Sequence, residues 1–254
     1  MNLLVTCDTA GWRTPNRLRH CLAEAGLMPD AGDGPCAFKR AEGLGRGPQP
    51  GHDHEAYLAA RVIAHHSNAL CRLNEFRTDL VDVSKSLSHP RLFCPAARGL
   101  PATTRKLLLD EIHAPYRDAV RKELSQMLLR YPYVVHLSIR TFPARKPTGE
   151  WIRGDVGLRY DPSSGDEVDW CLDLIDALAE QAPELKVRRN HPGRGTNDSL
   201  TRTMRDHFEN LHYLGIEIVL NRAWMARPVR RREESLRALG QAIAALSPSA
   251  AAAA

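Results

Sequence analysis

Short runs of apolar and β-branched residues alternate along this chain with longer segments of helical spacing, and this order constrains the fold most. Strands are predicted at residues 2–7, 79–83, 133–141, 155–160, 185–189 and 213–221. Helices are predicted at residues 17–27, 53–69, 103–130, 164–181, 200–210 and 233–246. Alternation of this kind packs helices on both faces of a sheet. The sequence therefore predicts an α/β fold, with a single three-layer α/β/α domain around a mixed, mostly parallel sheet.

Local signals refine this prediction. Pro115 lacks a backbone donor and should kink or split the helical segment around it. Ser164, with Glu167 three residues later, has the spacing of a capping box that opens a helix. Residues 213–221 are almost continuously apolar, which suits a strand in the middle of a sheet. We also expect a long surface loop at residues 28–52, an irregular segment at 84–101, one domain over 1–246 and a disordered alanine-rich tail over 247–254.

Composition excludes several classes of protein. The chain has 254 residues, 43% of them hydrophobic and 26% charged, which is enough apolar material for one buried core. No window reaches the roughly 18 to 20 uncharged apolar residues of a membrane-spanning helix, and the N-terminus lacks the order of a signal peptide. We therefore expect a cytoplasmic protein with no membrane partner. The six cysteines form no CxxC pair, which favours reduced thiols over disulfides or zinc ligands.

The formal net charge of +5 is concentrated in two basic clusters, at residues 186–189 and 227–232. Basic clusters bind phosphates or nucleic acid in some proteins, but more often they form a solvated surface. No aromatic residues interleave with these clusters to give a stacking platform for bases. Nucleic-acid binding is therefore retained only as a minor hypothesis.

Polar side chains are concentrated where the predicted strands end. Ligands of α/β folds bind beyond the carboxyl ends of the strands, so the loops after these strands should converge on one site. The residues predicted to bind a substrate there are Asp8, Arg13, Asp82, Lys85, Arg140, Asn190 and Arg194. Arginines beside carboxylates suit a small carboxylate substrate, because the guanidinium group offers paired donors. A salt-bridged edge of the sheet would explain the same residues equally well.

Several segments resemble, in the same order, motifs of the N-formylglutamate amidohydrolase family. The first strand and loop, LLVTCDTAGWRTP, are similar to the family's LLVTCDHAGNRVP. HLSIRTF stands where the family has a histidine-serine motif of the form HxSVHTF, and YLGIEIVLN stands where it has GIELEVNQ. Further similar segments are LVDVSKS, HPRLF, IHAPYRDAV, DVGLRYDP and RRNHPGRG. The resemblance implies a three-layer α/β fold related to phosphorylases and metallopeptidases, a divalent metal such as zinc, and hydrolysis of an N-formyl or N-acyl amino acid.

This sequence departs from the family at the positions that the resemblance implies for catalysis. Thr9 and Arg140 stand where the family has histidines that ligate the metal, and Val219 stands where it has the glutamate implied as general base. Zinc needs imidazole, thiolate or carboxylate donors, whereas arginine stays protonated and has no lone pair to give. We predict no metal ligands and no cofactor, with zinc present only if the family activity is retained. Glu217 and Asp53 remain as candidate catalytic residues.

Three hypotheses follow from the sequence. The first is a degenerate, non-catalytic family member with an anion-binding pocket lined by Arg13, Arg140 and Arg194, whose ligand is an acidic or N-acylated amino acid. The second is an active amidohydrolase whose rearranged metal site uses His52 or His54. The third is a basic surface that binds nucleic acid, with an affinity that falls steeply as salt rises. The sequence does not predict the oligomeric state.

Overall fold

Six strands form one sheet in the computed structural model, which describes residues 2–28 and 52–247. In chain order they are β1 (Leu3–Cys7), β2 (Leu70–Leu73), β3 (Val134–Phe142), β4 (Val156–Arg159), β5 (Val187–Arg189) and β6 (Tyr213–Asn221). Their order across the sheet is β2-β1-β3-β6-β4-β5. Strands β2, β1, β3 and β6 are parallel, whereas β4 runs antiparallel to β6 and parallel to β5. The predicted mixed, mostly parallel α/β sheet is confirmed, and β6 lies inside it as expected.

Helices cover both faces of this sheet. They are α1 (Arg19–Glu24), α2 (His54–His66), α3 (Pro95–Arg98), α4 (Ala102–Leu108), α5 (Ala114–Leu128), α6 (Gly165–Gln181), α7 (Leu200–His207), α8 (Arg222–Met225) and α9 (Val229–Ala245). A short 3-10 turn precedes α1, and a π-helical turn over Leu109–His113 joins α4 to α5. No helix in the described part of the chain combines the length and hydrophobicity that crossing a bilayer requires.

The two faces of the sheet differ in chemistry because side chains alternate along each strand. Val135, Leu137 and Ile139 of β3 are fully buried and pack with α2, α6 and α9 in one hydrophobic core. A second core packs α4, α5 and α7 against the opposite face, around Leu4 and Val134. Beside that second core, the same face carries polar side chains. This polar face, defined by Thr6, Asp8, His136, Ser138, Arg140 and Glu217, positions the candidate site.

The structure corrects one predicted strand. Residues 79–83 form turns, with a single bridge from Val81 to Phe93, although Leu80, Val81 and Val83 are buried in the second core. The outermost strand on this side of the sheet is instead β2, which follows directly after the end of α2. Apolar residues at 79–83 therefore reflected burial rather than strand pairing.

Both local helix signals predicted from the sequence, Pro115 and Ser164, lie at the start of a helix. Pro115 lies in the first turn of α5, directly after the π-helical turn over Leu109–His113. The regular helix is therefore interrupted beside the proline, which has no N–H to donate, as expected. The side chain of Ser164 accepts a hydrogen bond from the N–H of Glu167 and caps α6. The segment at 84–101 contains the short helix α3. Most of the predicted loop at 28–52, and the tail beyond residue 247, lie outside the described residues.

Candidate active site

Strand register sets three residues of the polar face in a row. Ser138 of β3 lies beside Thr6 of β1 on one side and beside Glu217 of β6 on the other. Asp8 follows directly after β1. Arg140 lies two residues beyond Ser138 on the same face, beside Val219 of β6.

Asp8 is a buried carboxylate with both oxygens engaged. The hydroxyl of Tyr116 on α5 donates to Oδ1 at 2.9 Å, and Ser138 donates to Oδ2 at 3.3 Å. Burial raises the pKa of Asp8, although the positive charge of Arg140 and the Tyr116 hydroxyl favour the ionised form. Asp8 therefore forms part of the wall of the site and is held by α5 and β3.

Glu217 of β6, the neighbour of Ser138, is also a buried carboxylate with both oxygens hydrogen-bonded. It is 3% exposed, and Nη1 of Arg159 on β4 donates to its Oε2 at 3.1 Å. Thr201 at the start of α7 donates to Oε1 at 3.4 Å. Neither carboxylate oxygen is left without a protein donor.

Arg140 is half-buried among carboxylates without being paired to one. Burial by itself would lower the pKa of Arg140, but Asp82, Glu217 and Asp8 together raise it, so the guanidinium stays charged. Among the described residues, its side chain makes no hydrogen bond, and no carboxylate oxygen lies within 4.0 Å. A cation with unused donors therefore lies at the centre of the polar face.

The loop after residue 81 brings Asp82 and Lys85 close enough to Arg140 for their charges to interact. Oδ1 of Asp82 accepts hydrogen bonds from the backbone N–H and the hydroxyl of Ser84, at 3.0 and 2.7 Å. Nζ of Lys85 donates to the backbone oxygen of Asp198 at 2.5 Å. Burial, and then the positive charge of Arg140, lower the pKa of Lys85. Asp8, Asp82, Lys85, Arg140 and Glu217 therefore interact as one electrostatic cluster.

The structure places the remaining sequence-predicted residues elsewhere. Arg13 is exposed and pairs with Glu75 at 2.7 Å, and Arg194 is exposed on the loop after β5. The charges that act most strongly on Arg140 are those of other residues, so the part of Arg13 and Arg194 in ligand binding stays a prediction. Oδ1 of Asn190 accepts the backbone N–H groups of Tyr160 and Gly195, which shapes the loop rather than the cluster.

Asp53 lies on the opposite face of the sheet, with α2. Its Oδ1 accepts the N–H of Ala56 and caps that helix, while its Oδ2 accepts the hydroxyl of Thr141 at 2.5 Å. Nη2 of Arg222 lies 3.6 Å from Oδ2. Thr141 and Arg140 are neighbours in β3 and point to opposite faces, which separates Asp53 from the cluster.

Sequence reasoning missed the groups that hold the cluster in place. Tyr116 and Ser138 bind Asp8, while Arg159 and Thr201 bind Glu217. Tyr116 and Arg159 fall within segments that carry the family resemblance, and alternation along β3 places Ser138 with Arg140. Their partners, however, depend on which helix and strand lie opposite.

A buried histidine lies on the same face, further from the strand ends. His136 is bonded to Thr6 through Nε2 at 2.8 Å and to the hydroxyl of Tyr213 through Nδ1 at 2.7 Å. Burial, and then the charge of Arg205, lower its pKa to about 3. With both ring nitrogens occupied, His136 serves the packing of the sheet and is not a candidate metal ligand.

The residues of the cluster do not fit the zinc that the family resemblance implies. Thr9 and Arg140 occupy the implied histidine positions, and Arg140 places a permanent cation among the carboxylates. No group of three or more histidine, cysteine, aspartate or glutamate side chains in the described ranges could hold a metal ion. His52 and His54 lie with Trp12 and Tyr57 in an aromatic group at the start of α2.

Comparison with known proteins gives one family and one fold. The family model described as N-formylglutamate amidohydrolase matches residues 1–221. The gene product Atu2144 from Agrobacterium tumefaciens is similar in structure, with a TM-score of 0.69 at 18% identity, over 97% of this chain and 90% of that one. An N-formylglutamate amidohydrolase from Ralstonia eutropha JMP134 has a TM-score of 0.66 at 14% identity, over 96% of this chain and 93% of that one. A search of curated proteins found no match.

Proposed function

This chain belongs to the N-formylglutamate amidohydrolase family, and we propose that it binds a small anionic ligand at Arg140 without the metal chemistry that the family resemblance implies. The ligand class is an acidic or N-acylated amino acid. The family match supports the choice of an amino-acid ligand. The side chains around Arg140 support binding without metal-dependent hydrolysis.

The observation that carries this proposal is the unpaired guanidinium of Arg140. Arginine offers five N–H donors in a planar fork that matches a carboxylate. In a half-buried position, donors without an acceptor carry a free-energy cost. A ligand carboxylate would supply the missing acceptors through two parallel charge-assisted hydrogen bonds.

Three features argue against hydrolysis. A general base must lie within hydrogen-bond reach of the attacking water, but Glu217 is 3% exposed and already accepts bonds from Arg159 and Thr201, which favour its ionised, structural role. Val219, at the family's glutamate position, has no proton-accepting group. In addition, the donor set around Arg140 does not suit a metal ion that would activate water.

Metal content and turnover, measured together, test the loss of catalysis. Purified protein, reloaded with zinc and dialysed, is analysed for bound metal while formate release from N-formylglutamate is followed. We expect no stoichiometric zinc and no formate. About one zinc per chain with turnover would overturn the proposal and favour a rearranged metal site.

Calorimetric titration with glutarate tests the anion site. Arg140→Ala should weaken binding by about 10- to 100-fold, the range expected for losing a charge-assisted pair of hydrogen bonds. Arg121→Ala is the matched control, because Arg121 is exposed on α5 and pairs only with Asp118 among the described residues. Equal affinities in the two variants would rule out Arg140 as the anion site.

A further inference from the structure

We propose that the ligand held by Arg140 is an acidic α-amino acid with a free ammonium group, and that Asp82 binds this ammonium. This inference rests on the proposed function and names the ligand of the same site. Two opposite charges, Arg140 and Asp82, interact electrostatically across the polar face but lie more than 4.0 Å apart. A molecule that bridges them needs a negative group for one and a positive group for the other.

The carboxylate of Asp82 is oriented by hydrogen bonds to one of its two oxygens only. Its Oδ1 accepts two hydrogen bonds from Ser84, which orient the carboxylate. Its Oδ2 accepts no hydrogen bond from any described residue, and the side chain is half-buried. An oriented carboxylate oxygen with no donor suits a ligand ammonium, which carries three donors.

The other carboxylates near Arg140 are already engaged. Tyr116 and Ser138 donate to the two oxygens of Asp8, and Arg159 and Thr201 donate to those of Glu217. Asp82 is therefore the carboxylate of this cluster with an oxygen left over in the described part of the chain.

This charge pattern selects between related ligands. A dicarboxylate without an ammonium is attracted by Arg140 but repelled by Asp82, and an N-acylated amino acid presents only one uncharged N–H. A free α-amino acid satisfies both groups. Lys85 lies close enough for Arg140 to lower its pKa, and its ammonium donates to one backbone oxygen, which leaves further donors for a side-chain carboxylate.

The test is a calorimetric panel of glutamate, glutarate and N-formylglutamate at pH 7, titrated into the wild-type protein. Glutarate has both carboxylates of glutamate but no ammonium, and N-formylglutamate has an amide in its place. We expect glutamate to bind at least about tenfold more tightly than either of the others, the effect of one charge-assisted hydrogen bond. Glutarate or N-formylglutamate binding as tightly as glutamate would overturn the inference.

The variant Asp82→Asn tests whether Asp82 is the group that binds the ligand ammonium. The substitution keeps the oxygen that Ser84 binds but removes the charge, so glutamate should lose affinity while glutarate keeps or gains it. Equal loss for all three ligands would overturn the assignment of the ligand ammonium to Asp82. If glutarate binds through Arg140 with no preference for glutamate, the inference fails and the proposed function stands. If none of the three ligands binds, both fail.

Discussion

Arg159 and Glu217 lie opposite each other in antiparallel β4 and β6, and Nη1 of the arginine donates to Oε2 of the glutamate at 3.1 Å. Side-chain exposure is 20% for Arg159 and 4% for Glu217. Removing one partner of such a pair leaves a buried charge without compensation. The pair therefore connects β4, which runs antiparallel to β6, to the candidate site.

Arg159→Met should lower the free energy of unfolding by about 2 to 4 kcal/mol, because Glu217 would remain buried and charged, with only the Thr201 hydroxyl bonded to it. Urea denaturation at pH 7 measures this loss. Arg202→Met is the control, since its pair with Asp206 is largely exposed and should contribute less than about 1 kcal/mol. Similar losses in the two variants would contradict a structural role for the buried pair.

Gly157→Ala should disrupt the loop beside the polar face. A Cβ at Gly157 would lie 1.8 Å from the backbone oxygen of His191 and 2.8 Å from Cγ2 of Val219. We expect a loss of more than about 2 kcal/mol in thermal or urea unfolding, because backbone has to move. Gly165→Ala, at the start of α6, meets nothing within 4 Å and should be neutral or slightly stabilising. The prediction fails if both alanines are tolerated equally.

His136 should make the fold sensitive to acid. Its pKa is lowered to about 3 in the folded protein, so between about 6.5 and 3 the unfolded chain binds the proton more readily. The stabilisation by neutral His136 is therefore complete above pH 6.5 and is lost as pH falls. His136→Gln should reduce the drop in unfolding free energy between pH 6.5 and 5 by roughly 2 kcal/mol. The same exchange at exposed His65 is the control, and an unchanged drop in His136→Gln would refute the assignment.

Asp53→Ala should cost stability and leave ligand affinity unchanged. The substitution removes the cap of α2 and the acceptor for Thr141, which together stabilise by about 2 to 3 kcal/mol. Asp53→Asn keeps an oxygen for the cap and should lose less. Denaturant unfolding and glutarate titration of the same samples separate the two effects. A fall in affinity without a fall in stability would restore Asp53 as a residue of the site.

Most strands and helices, and several of the charged residues that lie together, can be predicted from the sequence without a structure. Alternating strand and helix patterns, the cap at Ser164 and the apolar run of β6 depend on neighbours within a few residues, so they are visible without a structure. Because side chains alternate along β3, Ser138 and Arg140 necessarily share a face. Strand ends and the family resemblance predict Asp8, Asp82, Lys85, Arg140 and Glu217 as site residues. The structure brings their charges into one cluster, and their role in ligand binding stays a prediction.

Which of these charges are paired depends on contacts between residues that are distant in the sequence. Arg159 reaches Glu217 because β4 pairs with β6 in antiparallel register, and Tyr116 reaches Asp8 because α5 packs on β3, the neighbour of β1. Neither pairing follows from local spacing. Asp53 was separated from Arg140 by the side of the sheet that α2 covers. The unpaired state of Arg140 depends on distances between residues far apart in the chain, which only the packed layers fix.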